Sequence, residues 1–377
     1  MAVFGGEDSP RHAFDPCLYV YDPRGGGQWA ASPPAPSPAP LLGHAAASVG
    51  STVYIFGGRT GGTNCADDDH TTAPCETETA ALFAIDTAAD HGWQALEVGG
   101  GPSPRSFHAM ASLGSTLYVF GGCGEQGRLN DLWALETSGG LAWECLSLGG
   151  DIEGLHPSPR GGAALLALPG GSGSFDPSAE GAGQLVLLFG FDGEQRGDVW
   201  TFELDGSEGG WEDRTDEQQG DIPAPRSVFG AARVGPRKIF AFGVFLRFGF
   251  FKSSSLKCPA TGGEVSASTA GHEGAGSFCA DSFSLDADSM EVRNFDSNLG
   301  KFDGYFGIFD GYFRQWRCLD ATEGAGEGLL PTPRGWTGVG SVGYDADGAE
   351  GAASGVVLVG GLSDDNRRLG CAWRRPL

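Results

Sequence analysis

Basic residues are scarce in this chain. It has 24 Lys and Arg against 48 Asp and Glu, which gives a formal net charge of -24. Surfaces that bind nucleic acid or anionic membranes rely on an excess of Lys and Arg, so neither is expected as a partner. The charge predicts instead a soluble protein with a strongly acidic surface.

Paired cysteines, a secretory signal and long apolar runs are missing as well. The nine cysteines include no C-x-x-C pair, and this scatter favours free thiols in a reducing compartment over a disulfide framework. The N-terminus has no charged region followed by an apolar stretch. The longest apolar run, 239–251, is interrupted by Arg247 and falls short of the roughly 20 residues of a membrane span. We therefore expect a protein of the cytoplasm, or of the cytoplasm and the nucleus.

The signature loops of several enzyme classes are also absent. There is no G-x-S-x-G, no Walker loop and no G-x-G-x-x-G after a strand. Hydrolase, NTPase and dinucleotide-binding functions therefore have no support from motifs. Helical periodicity is not convincing anywhere in the chain.

What the chain does contain is a repeated unit. An apolar strand ends in a glycine pair and is followed by a loop, a further strand and a tryptophan. Short runs of Val, Leu, Tyr and Phe bounded by Gly, Pro and Asp predict β-strands, and the late Trp is expected to pack between neighbouring sheets. The clearest copies are VYIFGG (53–58), LFAIDT (82–87) and Trp93; LYVFGG (117–122), DLWALE (131–136) and Trp143; and LVLLFGF (185–191), DVWTFEL (198–204) and Trp211.

These units resemble the kelch repeat, in which radially arranged four-stranded sheets form a propeller. The chain is thus predicted to be one all-β domain over residues 1–377, a six-bladed kelch β-propeller with an incomplete first blade that lacks its first strand. In the fifth blade, KIFAFG (238–243) is matched with the late Trp316. The blades are expected near 1–31, 42–98, 105–148, 160–214, 226–320 and 334–377.

Two segments of the fifth unit interrupt the repeat and are interpreted as insertions. The first lies near 244–262, and its removal restores the repeat pattern. The second lies near 294–314 and contains the sequence FDGYF twice, at 302–306 and 309–313.

Pro-Arg dipeptides open four of the units, with arginines at 105, 160, 226 and 334. The chain reverses at each turn of an antiparallel blade, so the turn from strand two to three and the connection into the next blade emerge on the same face. The four arginines are therefore expected to rim one mouth of the central channel, where guanidinium groups suit carboxylate, sulfate or phosphate. The alternative is that each Arg braces a loop or pairs with an acidic neighbour.

A loop in the fifth unit offers candidate metal ligands. Glu264 and His272 supply one carboxylate and one imidazole, which are ligand types of non-haem Fe(II) sites. The alternative is a solvated polar loop. The acidic segment from Cys65 to Cys75 fits no zinc spacing, and it is interpreted as solvated.

Other polar residues of the repeat are assigned to the fold. His44 and His108 begin the first strands of their blades and are expected to be structural histidines with satisfied hydrogen bonds. Asp131-Leu-Trp133 and Asp198-Val-Trp200 are interpreted as packing features of the repeat.

Several segments together resemble the plant specifier proteins, which include nitrile-specifier, epithiospecifier and thiocyanate-forming proteins. The resemblance covers most of the chain outside the two insertions, and FGGEDSP (4–10) resembles the family's first blade, which implies a truncated start. It implies a six-bladed kelch propeller that directs the breakdown of glucosinolate aglucones toward nitriles or related products, with Fe(II) as cofactor. The matching segments are RSFHAM (105–110), RGGAAL (160–165), RSVFGAA (226–232), the spaced pattern from Gly263 to Asp286, and TPRGWTG (332–338).

The resemblance also assigns site residues. The family's iron motif, Glu and Asp and His separated by three residues each, falls on Glu264, Ser268 and His272. A neutral hydroxyl is a poorer iron ligand than a carboxylate, so Ser268 departs from the motif, and Asp281 or Glu273 would have to compensate. The family's substrate-contacting residues fall on Arg105, Arg160 and Trp336.

Two functions therefore remain open. One is an iron-dependent, lyase-type specifier protein that acts on a small anionic substrate. The other is a noncatalytic kelch module that binds an acidic peptide or a small anion. Whether the chain is an enzyme depends on which applies, and Ser268 is the residue that separates them. A copper-radical oxidase propeller is disfavoured, since the chain has only seven His and no Tyr-Cys-His arrangement.

Overall fold

The fold is described from a computed structural model. Among the described residues, strands account for nearly all regular structure, and one short 3-10 helix covers Thr215–Glu217. No helix in this part of the chain has the length and apolar character to cross a membrane. The structure describes residues 2–9, 12–13, 17–22, 28–32, 38–60, 77–88, 92–150, 154–170, 183–204, 210–245, 279–294, 317–318, 338–342, 355–360 and 372–376.

Blades 2, 3 and 4 are regular four-stranded antiparallel sheets whose strands follow one another in chain order. Blade 2 consists of β7 (Ala45–Val49), β8 (Thr52–Phe56), β11 (Leu82–Asp86) and β12 (Gln94–Leu96). Blade 3 consists of β13 (Ala109–Leu113), β14 (Thr116–Gly124), β15 (Gly127–Glu136) and β16 (Trp143–Ser147). Blade 4 consists of β17 (Ala164–Pro169), β18 (Gly183–Phe191), β19 (Gln195–Glu203) and β20 (Trp211–Asp213).

Blade 1 has three strands within the described residues, and two small sheets lie near blades 1 and 2. Its sheet contains β1 (Ala2–Phe4), β4 (Leu18–Asp22) and β5 (Gln28–Ser32), which matches the expected copy without a first strand. A two-stranded ladder joins β2 (Glu7–Ser9) and β3 (His12–Ala13). A small sheet beside blade 2 joins β6 (Leu41–Leu42), β9 (Arg59–Thr60) and β10 (Thr77–Glu78).

Blades 5 and 6 differ in detail from the prediction. Blade 5 contains β21 (Gln219–Gly220), β22 (Gly230–Arg233), β23 (Lys238–Phe245), β24 (Cys279–Asp286) and β25 (Glu291–Asn294). Blade 6 contains β26 (Arg317–Cys318), β27 (Gly338–Val342), β28 (Gly355–Val359) and β29 (Ala372–Pro376). The outer antiparallel strand of blade 5 thus comes from 291–294 instead of the region of Trp316, and 317–318 pairs with the last strand of blade 6.

The two expected insertions begin inside these strands. Val244 and Phe245 extend β23 and pair with Ala280 and Cys279, and Asn294 ends β25. The remaining residues of both segments lie outside the described part of the chain.

The blades are arranged radially. The first strands of blades 2 to 6 contact one another in succession, β7 with β13, β13 with β17, β17 with β22, and β22 with β27. These strands therefore lie next to the propeller axis, and each later strand lies further out.

The core consists of apolar layers between successive blades. In β14, Leu117 and Val119 pack toward blade 2, whereas Tyr118 and Phe120 pack toward blade 4. This division follows from the alternation of side chains along a strand. A further layer joins blades 4 and 5, and another joins blades 1 and 2.

The late tryptophans of blades 2, 3 and 4 pack between the sheets, as the sequence predicts. Each Trp meets the Phe before the glycine pair of the preceding blade, with ring centroids 5.1 to 5.3 Å apart. Edge-to-face and tilted aromatic pairs of this kind stabilise by about 0.5–1.5 kcal/mol beyond their buried area. The pairs are Trp93 with Phe4, Trp143 with Phe56, and Trp211 with Phe120.

Candidate functional site

The connections between blades meet the hairpins that join strands two and three. The backbone N–H of Arg105 donates to Thr79 O (3.2 Å), and its carbonyl accepts from Gly58 N–H (2.8 Å). Arg160 and Arg226 make the same two bonds with the hairpins of blades 3 and 4. The Pro-Arg segments therefore lie beside these hairpins, at the position that the topology predicts.

The guanidinium group of Arg105 nevertheless points into its own blade. Its side chain is 0% exposed and makes a bidentate ion pair with Asp131, with bonds of 2.7 and 2.8 Å. Its other N–H groups donate to Ser103 O, Ser103 Oγ and Gly121 O. All five donors of this arginine are therefore used within the protein.

Arg160 repeats this arrangement in blade 4. Its side chain is 1% exposed and donates to both carboxylate oxygens of Asp198, at 2.5 and 2.7 Å. The remaining N–H groups donate to Ser158 O, Ser158 Oγ and Phe189 O. Neither arginine presents a free donor to the channel mouth, so the expected substrate contacts would require these bonds to be exchanged. The alternative of pairing with an acidic neighbour describes both residues.

The sequence contains a signal for this pairing in how the residues vary between blades. Leu41 takes the place of Arg105 in blade 2, since its carbonyl accepts from the preceding glycine pair at Gly6 N–H (3.1 Å). Ala81 takes the place of Asp131, because each precedes the leucine that pairs with the strand-two Phe. Blade 2 thus lacks both members of the pair, and blades 3 and 4 have both.

Arg226 is 4% exposed, and its guanidinium lies over the Phe283 ring, 5.1 Å from the centroid. Its Nε donates to Ala224 O (3.0 Å), the equivalent of the bonds to Ser103 and Ser158. Asp281 lies opposite Gly243 in the blade 5 ladder, the register position that corresponds to Asp131 and Asp198. This position makes Asp281 the counterpart of the paired aspartates in blades 3 and 4.

The remaining predicted site residues lie outside the described part of the chain. These are the metal candidates Glu264, Ser268 and His272, together with Arg334 and Trp336. Among the residues that the structure does describe, no group of three or more His, Cys, Asp or Glu side chains is placed to hold a metal ion.

A row of backbone hydrogen bonds joins blades 2 to 5 near the propeller axis. Phe107 N–H donates to Gly43 O (2.7 Å), Gly162 N–H donates to Phe107 O (2.9 Å), and Val228 N–H donates to Gly162 O (2.8 Å). All four residues have a left-handed φ, between 51° and 65°. Each lies two positions after a Pro-Arg arginine or its equivalent, and Trp336 has this position in the sixth unit.

Arginines that the sequence analysis missed lie on the same hairpins. Arg59, in β9, lies over the Phe107 ring of the next blade at 5.3 Å, and its Nε is 2.9 Å from Glu78 Oε1 and 3.0 Å from Ser106 Oγ. Arg128, in β15, lies over the Phe191 ring of the next blade at 4.9 Å. Both are contacts between an arginine of one blade and an aromatic ring of the following blade.

The Arg59–Phe107 and Arg128–Phe191 pairs differ in whether the arginine has a carboxylate partner. Glu78 lies directly opposite Arg59 in its ladder, whereas the residue opposite Arg128 is Cys123. The Arg128 side chain is exposed and makes no ion pair or hydrogen bond with any residue of the described chain.

The blade 4 hairpin adds a paired arginine. Arg196 Nε donates to Asp192 Oδ2 (2.6 Å), and its side chain is 42% exposed. Burial acts to raise the pKa of Asp192, but hydrogen bonds from Ser158 and Arg196 together hold it below its ordinary value. Asp192 is therefore ionised and already paired near neutral pH. We call the surface formed by Arg59, Phe107, Arg128, Phe191 and Arg196 the hairpin face.

His44 and His108 lie between blades and are structural in position. Burial lowers the pKa of His44 to about 4, and burial together with the charge of Arg105 lowers the pKa of His108 to about 3. Neither ring nitrogen of His108, nor Nδ1 of His44, has a hydrogen-bond partner within the described residues. Burial thus agrees with the expectation, whereas these three ring nitrogens lack the hydrogen bonds expected of them. The ring of His44 lies against Gly5 and its Cβ against Gly58, and the ring of His108 lies against Gly57 and its Cβ against Gly122.

The fold and the glycine-pair repeats define a kelch-repeat β-propeller. A family model described as the KLHDC2/KLHL20/DRC7 Kelch-repeats domain matches residues 1–243. That match covers more than half of the chain, which therefore belongs to the kelch-repeat family.

Particular relatives differ widely in length and activity. The chain is 26% identical over 303 residues to N-(sulfonatooxy)prop-2-enimidothioate sulfolyase of Thlaspi arvense, covering 77% of this chain and 74% of the relative. It is 29% identical over 193 residues to the dynein alpha chain, flagellar outer arm, of Chlamydomonas reinhardtii, covering 50% of this chain and 4% of the relative. It is 31% identical over 153 residues to the leucine-zipper-like transcriptional regulator 1 homolog of Drosophila melanogaster, covering 40% of this chain and 15% of the relative.

Proposed function

We propose that this chain is a kelch binding module that holds a carboxylate-bearing peptide on its hairpin face. The observation that supports this most strongly is Arg128, an exposed arginine stacked on Phe191 with no carboxylate partner in the described chain. Arginine suits planar, bidentate recognition of carboxylates. Because Arg59 and Arg196 lie on the adjacent hairpins, an extended peptide that crosses several blades fits this surface better than a single small anion.

Two kinds of contact are available on this face. Arg128 supplies charge-assisted hydrogen bonds, since Arg59 and Arg196 already pair with Glu78 and Asp192. The rings of Phe107 and Phe191 are partly exposed and supply apolar contact area. A surface that combines aromatic residues with arginine has the composition found at the centres of protein interfaces. The buried pairs of Arg105 and Arg160 hold the hairpins in place beneath it.

The proposal is tested with capped peptides and the full chain. Peptides of eight residues in a Gly-Ser-Leu background, with Glu or Gln at the variable positions, are compared by fluorescence polarisation. We expect the Glu peptides to bind and the Gln peptides to bind at least tenfold more weakly. The triple variant Arg59→Gln, Arg128→Gln, Arg196→Gln should lose this preference while its thermal unfolding remains cooperative. Equal binding of the Glu and Gln peptides by the unaltered protein would overturn the proposal.

A second candidate is a specifier-like activity on a small sulfated substrate. It is supported by the match that covers 77% of this chain and 74% of the Thlaspi arvense sulfolyase. The implied Fe(II) would have Glu264 and His272 as ligands, but the donor set fits only in part because Ser268 replaces a carboxylate. The use of all donors of Arg105 and Arg160 within the protein also favours the binding module.

Anaerobic Fe(II) titration separates the two candidates. For a binding module we expect no micromolar Fe(II) binding by the unaltered chain, and binding gained in Ser268→Asp. Micromolar binding by the unaltered chain that is lost in His272→Ala would favour the specifier-like activity instead.

A further inference from the structure

We infer that Arg128 and Phe191 form the carboxylate anchor of the hairpin face, at the junction of blades 3 and 4. This inference rests on the proposed function and identifies which residues determine affinity. The guanidinium carbon of Arg128 is 4.9 Å from the Phe191 centroid. The guanidinium N–H groups make no hydrogen bond within the described residues, so they are available to a bidentate partner while the cation–π contact is kept.

The junction of blades 2 and 3 provides an internal precedent for this contact. There, Arg59 also lies over an aromatic ring of the following blade, Phe107, and its Nε donates to the carboxylate of Glu78 at 2.9 Å. The two arginines come from opposite strands of their hairpins, since Arg59 has the position of Cys123, and Glu78 has the position of Arg128. Glu78 comes from the strand opposite Arg59. A stacked arginine on this face therefore accommodates a carboxylate without losing its aromatic contact.

The junction of blades 3 and 4 has the stacked arginine but not the internal carboxylate. The residue opposite Arg128 is Cys123, which has no carboxylate. Asp192 follows Phe191 directly, yet its carboxylate accepts from Ser158 and Arg196 at 2.6 Å each. The carboxylate that Arg128 lacks is the group that a bound peptide would supply.

The charge of the whole chain strengthens this assignment. With 48 acidic and 24 basic residues, most arginines have acidic side chains available nearby. The described arginines at 59, 105, 160, 196, 214, 237 and 293 each make an ion pair, whereas Arg128 makes none. Glu125 lies in the same hairpin turn and Asp192 follows Phe191, yet neither makes an ion pair with Arg128, so its charge is not neutralised within the described residues.

The carboxylate can come from an acidic side chain or from the C-terminus of a peptide. Two probes distinguish these sources. One is a capped Gly-Ser-Leu octapeptide with a single central Glu, and the other is the same background with Gln and a free C-terminus. Tighter binding of the first probe assigns the anchor to a side chain, and tighter binding of the second assigns it to a chain end.

The test measures both probes against single variants of the full chain. Arg128→Gln is expected to lower the affinity for the tighter-binding probe at least tenfold. Arg128→Lys keeps the charge but not the planar, forked guanidinium, and it is expected to lower this affinity about threefold to tenfold. Phe191→Leu should weaken it severalfold, since the apolar side chain remains but the stacking partner is lost. Arg293→Gln, which removes an exposed arginine paired with Glu291 on blade 5, is the matched charge control and should leave affinity unchanged.

The outcomes separate this inference from the proposed function. If Arg128→Gln binds as the unaltered chain does while the triple variant of the hairpin face does not, the anchor is wrong and the binding module stands. If the triple variant also retains full affinity, both are wrong. Full affinity in Arg128→Lys would also overturn the anchor, because it would show that charge alone suffices.

Discussion

Arg105 shows how one buried charge determines the residue on a neighbouring strand. Its guanidinium is 0% exposed, and stripping water from such a group costs several kcal/mol unless a well-placed carboxylate compensates. Asp131 provides that carboxylate in blade 3. In blade 2 the equivalent positions are occupied by two apolar residues, Leu41 and Ala81. A blade with an arginine but no aspartate would bury an unpaired charge.

The first prediction concerns replacing the ion pair of blade 3 by the apolar residues of blade 2. Asp131→Ala is expected to lower the free energy of unfolding by about 3–5 kcal/mol, because it leaves the buried guanidinium without its counterion. The double variant Arg105→Leu, Asp131→Ala copies blade 2 and should recover most of that loss. Urea denaturation of the full chain measures both. A double variant no more stable than the single one would show that the bonds to Ser103 and Gly121 matter more than the ion pair.

A second residue-scale prediction concerns Phe189, which stands where blades 2 and 3 have a glycine. Its φ is 56°, and its side chain is 4% exposed. Replacing it by Ala or Gly removes the ring and costs about 3–5 kcal/mol. Only the Gly variant also removes the cost of the left-handed backbone conformation, which is about 1–2 kcal/mol for an L-residue. We expect Phe189→Gly to be more stable than Phe189→Ala by about 1 kcal/mol.

The control is Phe120, which is 0% exposed and has an ordinary strand conformation. There the order should reverse, with Phe120→Ala more stable than Phe120→Gly, since glycine gains nothing from the backbone and loses more chain entropy on folding. The same order at both positions in chemical denaturation would contradict the role assigned to φ.

At the scale of strands, the sequence predicts the middle of each blade well. The predicted segments 53–58 and 117–122 correspond to β8 and β14, because an apolar run ending in two glycines is a strong local pattern. The outer strand of blade 5 was matched with Trp316, but the structure has it at Glu291–Asn294. That strand has one buried residue, Val292, and no tryptophan, so it lacks the mark on which the repeat was aligned.

The candidate site was predictable only in part. Strand connectivity places the backbone of Arg105 beside the hairpins, but it does not determine whether the side chain points outward or inward. That depends on Asp131, which lies 26 residues away in sequence and becomes a neighbour only through strand pairing. Arg59 and Arg128 belong to no repeated motif, so a search for recurrence does not find them.

The buried histidines between blades predict an acid-sensitive propeller. The pKa values of His44 and His108, about 4 and about 3, lie below the ordinary 6.5, so the folded protein binds fewer protons than the unfolded chain. Stability is therefore complete above pH 6.5 and is lost as the pH falls toward these values. Each histidine contributes a slope of up to about 1.4 kcal/mol per pH unit.

Urea denaturation between pH 7.5 and pH 5 measures this slope, in a range where carboxylates contribute little. His108→Leu should reduce the slope of the unfolding free energy against pH by roughly the contribution of one bound proton, whatever its effect on absolute stability. Arg105 must stay in place, because its charge faces His108 and helps to keep it neutral. An unchanged slope in His108→Leu would show that His108 is not protonated on unfolding over this range.

The net charge of -24 acts on the molecule as a whole and opposes the local chemistry of the hairpin face. An acidic peptide approaching this protein meets a repulsive field at long range, and it meets arginines only at contact. The field is screened beyond a Debye length of about 8 Å at physiological salt, whereas contacts at hydrogen-bond distance are screened much less. Affinity therefore depends on short-range contacts, and the approach of the peptide depends on salt.

We therefore expect the association rate of a capped Glu peptide to rise as ionic strength increases from about 10 mM to about 150 mM. Electrostatic steering between opposite charges gives the reverse, a rate that falls with salt. Stopped-flow fluorescence measures the rate, with the matched Gln peptide as a control that should change little. In Arg128→Gln the association rate should keep its salt dependence while dissociation becomes faster, since the anchor acts only after contact. A rate for the Glu peptide that falls with salt would mean that the arginines of the hairpin face dominate the field over the acidic surface around them.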